Sequence, residues 1–173
     1  MFVLGTAHRL QGAEKQEGSI DDPDYISLVE HLSLRSGFGV RVDCIFEEAS
    51  ELGPTAAQKL AESSGLKYRD IDPHVEKRHL YGLARDTGDP LVEPFHLDAC
   101  WEFFEEHFKR EDFWVEGIKG ESFQVGLVIC GLLHTLSLAG KLMSAGFEVY
   151  ACYYVPYHKL CRKCNPVPAS AAP

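Results

Sequence analysis

Two histidines of this chain stand at the end of the same local pattern. "FVLGTAH" (residues 2–8) and "VICGLLH" (residues 128–134) each run an apolar, strand-like stretch into Gly, two further residues and His, giving His8 and His134. Between them, "IFEEAS" (residues 45–50) ends another apolar run on Glu47 and Glu48. Two neutral imidazoles and one carboxylate suit Zn²⁺, Mn²⁺ or Fe²⁺, and three protein ligands leave a position open for water. Water on such an ion is a nucleophile near neutral pH. The same His, Glu, His set also performs proton transfer without a metal. The candidate metal ligands are therefore His8, Glu47 and His134, and the candidate catalytic residues are His8, Glu47, Glu48 and His134. Strand alternation sends Glu47 and Glu48 to opposite faces if the strand runs through both, so one of them supports the other from behind.

Further groups gather round this set. The segment from about Pro94 to Ile118 carries an apolar stripe at Leu97, Trp101, Phe104, Phe108, Val115 and Ile118, and the position that completes it holds Glu111. A carboxylate in such a stripe is paired, ligating or protonated if it is buried, and otherwise snorkels to water. Arg110 beside it offers a counter-charge, although adjacent residues on a helix face differently. Arg110, Glu111 and Asp72 are the expected substrate-orienting or supporting residues, with Asp72 before Pro73 also suited to a turn. Cys130 lies in the apolar run "LVICG", where a thiol is usually inert. "HKLCRKC" places His158, Cys161 and Cys164 near the chain end, but a structural zinc site usually needs a second ligand pair. Phosphate-cradling and serine-hydrolase motifs are absent.

The elements that must position these residues alternate along the chain. Strands are expected at "MFVLGTAH", "RVDCIFEEAS", "KYRDIDP", "QVGLVICGLLH" and "FEVYACYYVPYH". Helical spacing marks "PDYISLVEHLSLRSG", "GPTAAQKLAESSGL", residues 94–118 and "TLSLAGKLMSAG", with Gly37, Gly65 and Gly146 as stops. Residues 74–93 read as a charged loop with one helical turn. Such alternation predicts an α/β fold of three layers (α/β/α) with a mainly parallel sheet of about five strands. Ligands of open parallel sheets bind at the carboxyl ends of the strands. These are the ends that deliver His8, Glu47 and Glu48, Asp70 and Asp72, His134 and His158. One domain over residues 1–160 is expected, followed by a disordered Pro- and Ala-rich tail over 161–173.

The paired motifs Gly5-Thr6-Ala7-His8 and Gly131-Leu132-Leu133-His134 resemble those of the TraB/Tiki/ChaN/erythromycin-esterase superfamily. In that superfamily a glutamate follows an apolar strand between the two histidines, as Glu47 and Glu48 do here. An arginine–acid pair on a later helix also recurs, and "KREDFWVEGI", with Arg110 and Glu111, is similar to it. The resemblance spans His8 to about residue 150 and rests on short motifs. Members range from proposed metal-dependent proteases to esterases and haem-binding proteins. The resemblance thus implies the site more than the reaction. The chain is shorter than the larger members and lacks their helical insertions.

Composition narrows the partners. The 173 residues are 45% hydrophobic, enough for a sizeable core, and the formal net charge is −9. No basic run occurs, so nucleic acid is not an expected partner. Residues 122–140 carry no formal charge over 19 positions, but their Gln, His, Ser and Gly content fits a buried strand leading into a helix, so no membrane is expected either. The first residues do not resemble a signal peptide, and most of the six cysteines lie in apolar runs, which points to a reducing cytoplasm. The functional expectation is a small cytoplasmic hydrolase acting on a small-molecule or peptide-like ligand, with one divalent metal (Zn, Mn or Fe) as its candidate cofactor. The alternative is a non-catalytic module that binds a small ligand or metal, as a sensor or partner subunit.

Overall fold

A computed structural model of the chain describes residues 1–6, 22–34, 40–49, 54–73, 75–83 and 97–155. Strand β1 (Phe2–Thr6) is buried along its whole length, as an apolar run covered on both faces must be. Helix α1 (Pro23–Leu34) starts with Pro at its first position, and Asp22 caps it by accepting from the Asp24 N–H at 3.1 Å. Strand β2 (Cys44–Glu47) leads to helix α2 (Ala56–Ser64). Thr55 Oγ1 caps α2 by accepting from the Gln58 N–H, and Gly65 ends it at φ 66°. Strand β3 (Lys67–Asp70) and a 3₁₀ segment (Val75–Tyr81) precede the long helix α3 (Leu97–Lys119). Strand β4 (Gly126–Gly131) passes through a 3₁₀ turn (Leu132–His134) into helix α4 (Thr135–Ser144), and β5 (Tyr150–Tyr154) follows.

The five strands form one sheet in the order β3-β2-β4-β1-β5, and every pairing is parallel. One face packs Val3, Cys44, Phe46 and Val128 under Trp114 and Ile118 of α3 and Leu138 and Leu142 of α4. The other packs Phe2, Leu4, Ile45 and Ile129 under Tyr25 and Val29 of α1 and Ala57 and Ala61 of α2. The expected three layers are present. The helices that follow β1 and β2 cover one face, whereas those that follow β3 and β4 cover the other. Strand β4 lies between β2 and β1, so the chain leaves neighbouring strands toward opposite faces on both sides of β4. Such switch points are where open parallel sheets place their sites.

Gly5 has a packing reason to be glycine. A Cβ there would stand 1.8 Å from Thr135 Oγ1, so the first residue of α4 rests directly on β1. The uncharged stretch 122–140 resolves into β4, the 3₁₀ turn and α4, and no helix among the described residues is long and apolar enough to cross a membrane. One detail of the helical stripe is corrected. Phe108 is 46% exposed, because α3 turns Arg110, Glu111, Trp114, Val115 and Ile118 inward. The helix is oriented by polar groups that bond across the layer as well as by its apolar ones.

Candidate active site at the carboxyl ends of the strands

Glu48 is the first residue after β2, and its N–H still donates to Ile129 O of β4 at 3.0 Å. That anchor keeps the pleat, so Glu48 faces α3 and α4 while Glu47 faces α1 and α2. Glu48 Oε1 accepts from Arg110 Nη2 at 2.7 Å, and Oε2 accepts from the Gly131 N–H at 2.9 Å. The guanidinium of Arg110 also grips Asp72, through Nε to Oδ1 at 3.1 Å and Nη2 to Oδ2 at 2.9 Å. Asp72 takes two more donors, Arg78 Nη2 at 2.7 Å and Trp114 Nε1 at 3.0 Å. Two carboxylates and two guanidinium groups thus form a buried, charge-balanced cluster. Burial works against the Arg110 charge, but Glu48 and Asp72 more than offset it and hold the group above its ordinary range.

His134 adjoins this cluster and is 2% exposed. Its Nδ1 lies 2.9 Å from Glu111 Oε1, which also accepts from Ser137 Oγ at 2.6 Å. The imidazole stacks on His107 with ring centroids 4.3 Å apart and meets the edge of Trp114 at 4.7 Å. Its Nε2 stands 3.8 Å from Glu48 Oε1, too far for a hydrogen bond. The chemistry of the arrangement is that of a histidine held by a carboxylate on one nitrogen, with the other nitrogen directed at a second carboxylate.

Glu47 occupies a different environment. It is fully buried, and its Oε2 accepts from the hydroxyls of Thr55 and Tyr68. Burial pushes its carboxyl up to about 7, against the two hydroxyl hydrogen bonds, which favour the charged form.

Glu48, Asp72, Arg110, Glu111 and His134 therefore converge, and Glu47 does not join them. The ligand set His8, Glu47 and His134 is corrected on this point. The pleat of β2 puts Glu47 and His134 on opposite sides of the sheet, and Glu48 is the carboxylate beside the imidazole. His8 lies outside the described residues, as do His158, Cys161, Cys164 and the tail 161–173. The end of β1, two residues before His8, is nevertheless paired with the end of β4, Thr6 against Gly131. Arg110 serves Glu48 and Asp72 rather than its sequence neighbour Glu111, because successive side chains on α3 diverge. Asp72 is more than a turn residue, since it takes three side-chain donors. Among the described residues no group of three His, Cys, Asp or Glu side chains could hold a metal ion. Burial pushes the Cys130 thiol well up, which removes its value as a nucleophile.

Sequence reasoning missed Arg78, His107, Trp114 Nε1 and Ser137 as members of the cluster. Ser137 follows His134 by one helical turn, a spacing that was available to find it. Arg78 sits in a charged stretch that offered no such signal.

Fold and site together define an α/β protein with an all-parallel sheet and a buried carboxylate–arginine–histidine cluster at its switch points. No family model matches the chain, and no curated protein and no solved structure matches it either.

Proposed function

We propose that the chain is a small cytoplasmic hydrolase of the paired-GxxH kind, acting on a small-molecule or peptide-like substrate, with His134 as its proton-transfer group. The observation that carries this reading is the Glu111–His134 contact at 2.9 Å, which leaves Nε2 without a hydrogen bond among the described residues. A carboxylate on Nδ1 favours the tautomer with the proton there, so the Nε2 lone pair is available as a base. In hydrolysis Nε2 takes a proton from the attacking water and returns it to the leaving group, while Glu111 stabilises the imidazolium between the two steps. Glu48, held by Arg110 and the Gly131 N–H, is the second carboxylate of the site. His8 is its proposed second imidazole.

A divalent ion is the metal-assisted form of the same proposal. Glu48 and His134 would supply two donors and His8 a third, and the ion would acidify a bound water. The fit is poor on the described side, because both Glu48 oxygens already accept hydrogen bonds, one from the cationic Arg110. The metal-free form is therefore the better supported of the two.

One observation favours the rival reading of a ligand-binding module, namely the near-complete burial of His134. Turnover of a panel of esters, amides and phosphoesters separates the readings, using wild type, His134→Gln and Glu111→Gln with thermal unfolding as a folding control. The hydrolase reading expects kcat to fall by about 10²–10⁴ in both variants, the usual contribution of a positioned acid–base group. Absence of turnover by the wild-type chain on every class would leave the binding module. Metal content after purification without chelators decides between the metal-free and metal-assisted forms.

A further inference from the structure

The two edges of the sheet are built differently. Strand β3 forms one edge and carries Lys67, Arg69 and Asp70, and charges of this kind keep an edge from pairing with another chain. Strand β5 forms the other, and residues 149–155 ("VYACYYV") hold no charge at all. Among the described residues β5 pairs with β1 alone, and Tyr150 through Tyr153 are exposed. The Tyr150 N–H donates to Met1 O at 2.9 Å, so Tyr150, Cys152 and Tyr154 turn their backbone groups toward β1. Ala151 and Tyr153 turn theirs the other way, to the outer side of the edge. The side chains of these two share the α3/α4 face with Val3, the β1 partner of Ala151. Helix α4 continues the surface on that face. It lies on β1 and β5 with Leu138, Ala139 and Leu142 toward the sheet, and it turns Ser137 and Lys141 to α3. Its remaining flank, on the β5 side, carries Leu136 and Met143, which are 68% and 62% exposed.

We propose that β5 is the interface with a second copy of this chain, paired antiparallel about a two-fold axis at Cys152, so that the two sheets become one. This axis sets Ala151 of each copy opposite Tyr153 of the other. These are the residues whose N–H and C=O face outward, so both pairs close hydrogen-bonded rings, and a small side chain meets a large one. Cys152 stands opposite its own counterpart at the non-hydrogen-bonded position between them, with Cα atoms about 4.5 Å apart. A two-fold axis sets any charge beside it against its own copy, so a charged edge repels itself. The uncharged run 149–155 removes that obstacle in a chain whose formal net charge is −9, and this favours a second copy over a partner matched by charge. The same axis brings the α4 flanks of both copies to the junction, where Leu136, Met143 and Tyr153 lose their exposure to water together. The pairing does not depend on the hydrolase reading.

Analytical ultracentrifugation of the full chain across the micromolar range tests it, with thermal unfolding as a folding control. The wild type should sediment at twice the 19.3 kDa chain mass. Ala151→Pro takes one outward N–H from each copy and leaves the bonds to β1 in place, so the dissociation constant should rise by about tenfold or more. Cys152→Lys and Cys152→Glu each set like charges opposite one another and should weaken the dimer by about fivefold. An equimolar mixture of these two variants should recover association, with one chain of each kind in the dimer. Should Ala151→Pro fail to fold, the mixture carries the test. A wild-type chain that stays monomeric throughout would overturn the proposal, whether the edge then takes a segment of its own chain or a different protein. A dimer equally tight in all three variants, or no recovery in the mixture, would overturn it as well.

Discussion

Glu47 and Glu48 are neighbours in sequence with the same side chain, and the sheet gives them opposite surroundings. Glu48 enters a region built from charges: with Asp72 it balances Arg110 and Arg78, and each bond is charge-assisted. Glu47 enters a region built from hydroxyls and aliphatic carbons, where one oxygen is paired twice and the other has no hydrogen-bond partner among the described residues. The comparison separates two ways of burying a carboxylate. A cation in place keeps the group charged and ties distant segments together, since Arg110 of α3 reaches residues that follow β2 and β3. Hydroxyls alone do not repay desolvation, so the carboxyl drifts toward neutrality.

Breaking the charged region should have the largest effect. Arg110→Met leaves Glu48 and Asp72 buried with their shared cation gone, and a loss of about 3–5 kcal/mol in unfolding free energy is expected from urea denaturation. A loss below about 1 kcal/mol would mean that the two carboxylates find other partners and that the cluster is no tie between segments.

The Glu47 region should instead show itself as pH dependence. Glu47 is raised from 4.5 to about 7 by burial. Below 4.5 both the folded and the unfolded chain hold the proton, and the contribution to stability is full. As pH rises from 4.5 toward 7 the unfolded chain releases its proton first, so stability falls, by about 3 kcal/mol in total at 1.36 kcal/mol per unit, and then levels off. The difference in unfolding free energy between wild type and Glu47→Gln, followed from pH 4 to 8, should carry this slope. A flat difference would show that Glu47 is charged in the folded protein at neutral pH.

The smallest of the three effects belongs to the contact that seats α4. Gly5→Ala puts a methyl group against Thr135 Oγ1, at an expected cost of about 1–3 kcal/mol. Thr135→Ala in the same chain should return part of that loss, as coupling in a double-mutant cycle. Full additivity of the two substitutions would show that the helix shifts rather than clashes.

The alternation of strands and helices was legible because it rests on local periodicity. Apolar runs marked β1, β2, β4 and β5, while the polar β3 was read from the short stretch "KYRDIDP", and the stops at Gly65 and Gly146 both adopt positive φ, at 66° and 96°. The gathering of Glu48, Asp72, Arg110, Glu111 and His134 was legible in part, because each residue ends a strand, interrupts an apolar stripe or, as Arg110 does, stands beside the residue that interrupts it. Which of the two glutamates faces His134 was left open, since the answer depends on whether the pleat of β2 persists to residue 48. The hydrogen bond from the Glu48 N–H to Ile129 O makes it persist. Arg78 was invisible because its partner Asp72 becomes a partner only once the 3₁₀ segment folds back over the strand ends.

The sequence by itself determined the elements, the parallel class of sheet and the strand ends at which polar side chains collect, because hydrophobic period and turn chemistry act over a few residues. Tertiary structure alone decided the pairings. Arg110 chose Glu48 and Asp72 over Glu111, His134 took Glu111, and Glu47 was left among hydroxyls on the far face. Those choices depend on strand order and on which helix covers which face, and both are set by contacts between residues tens of positions apart.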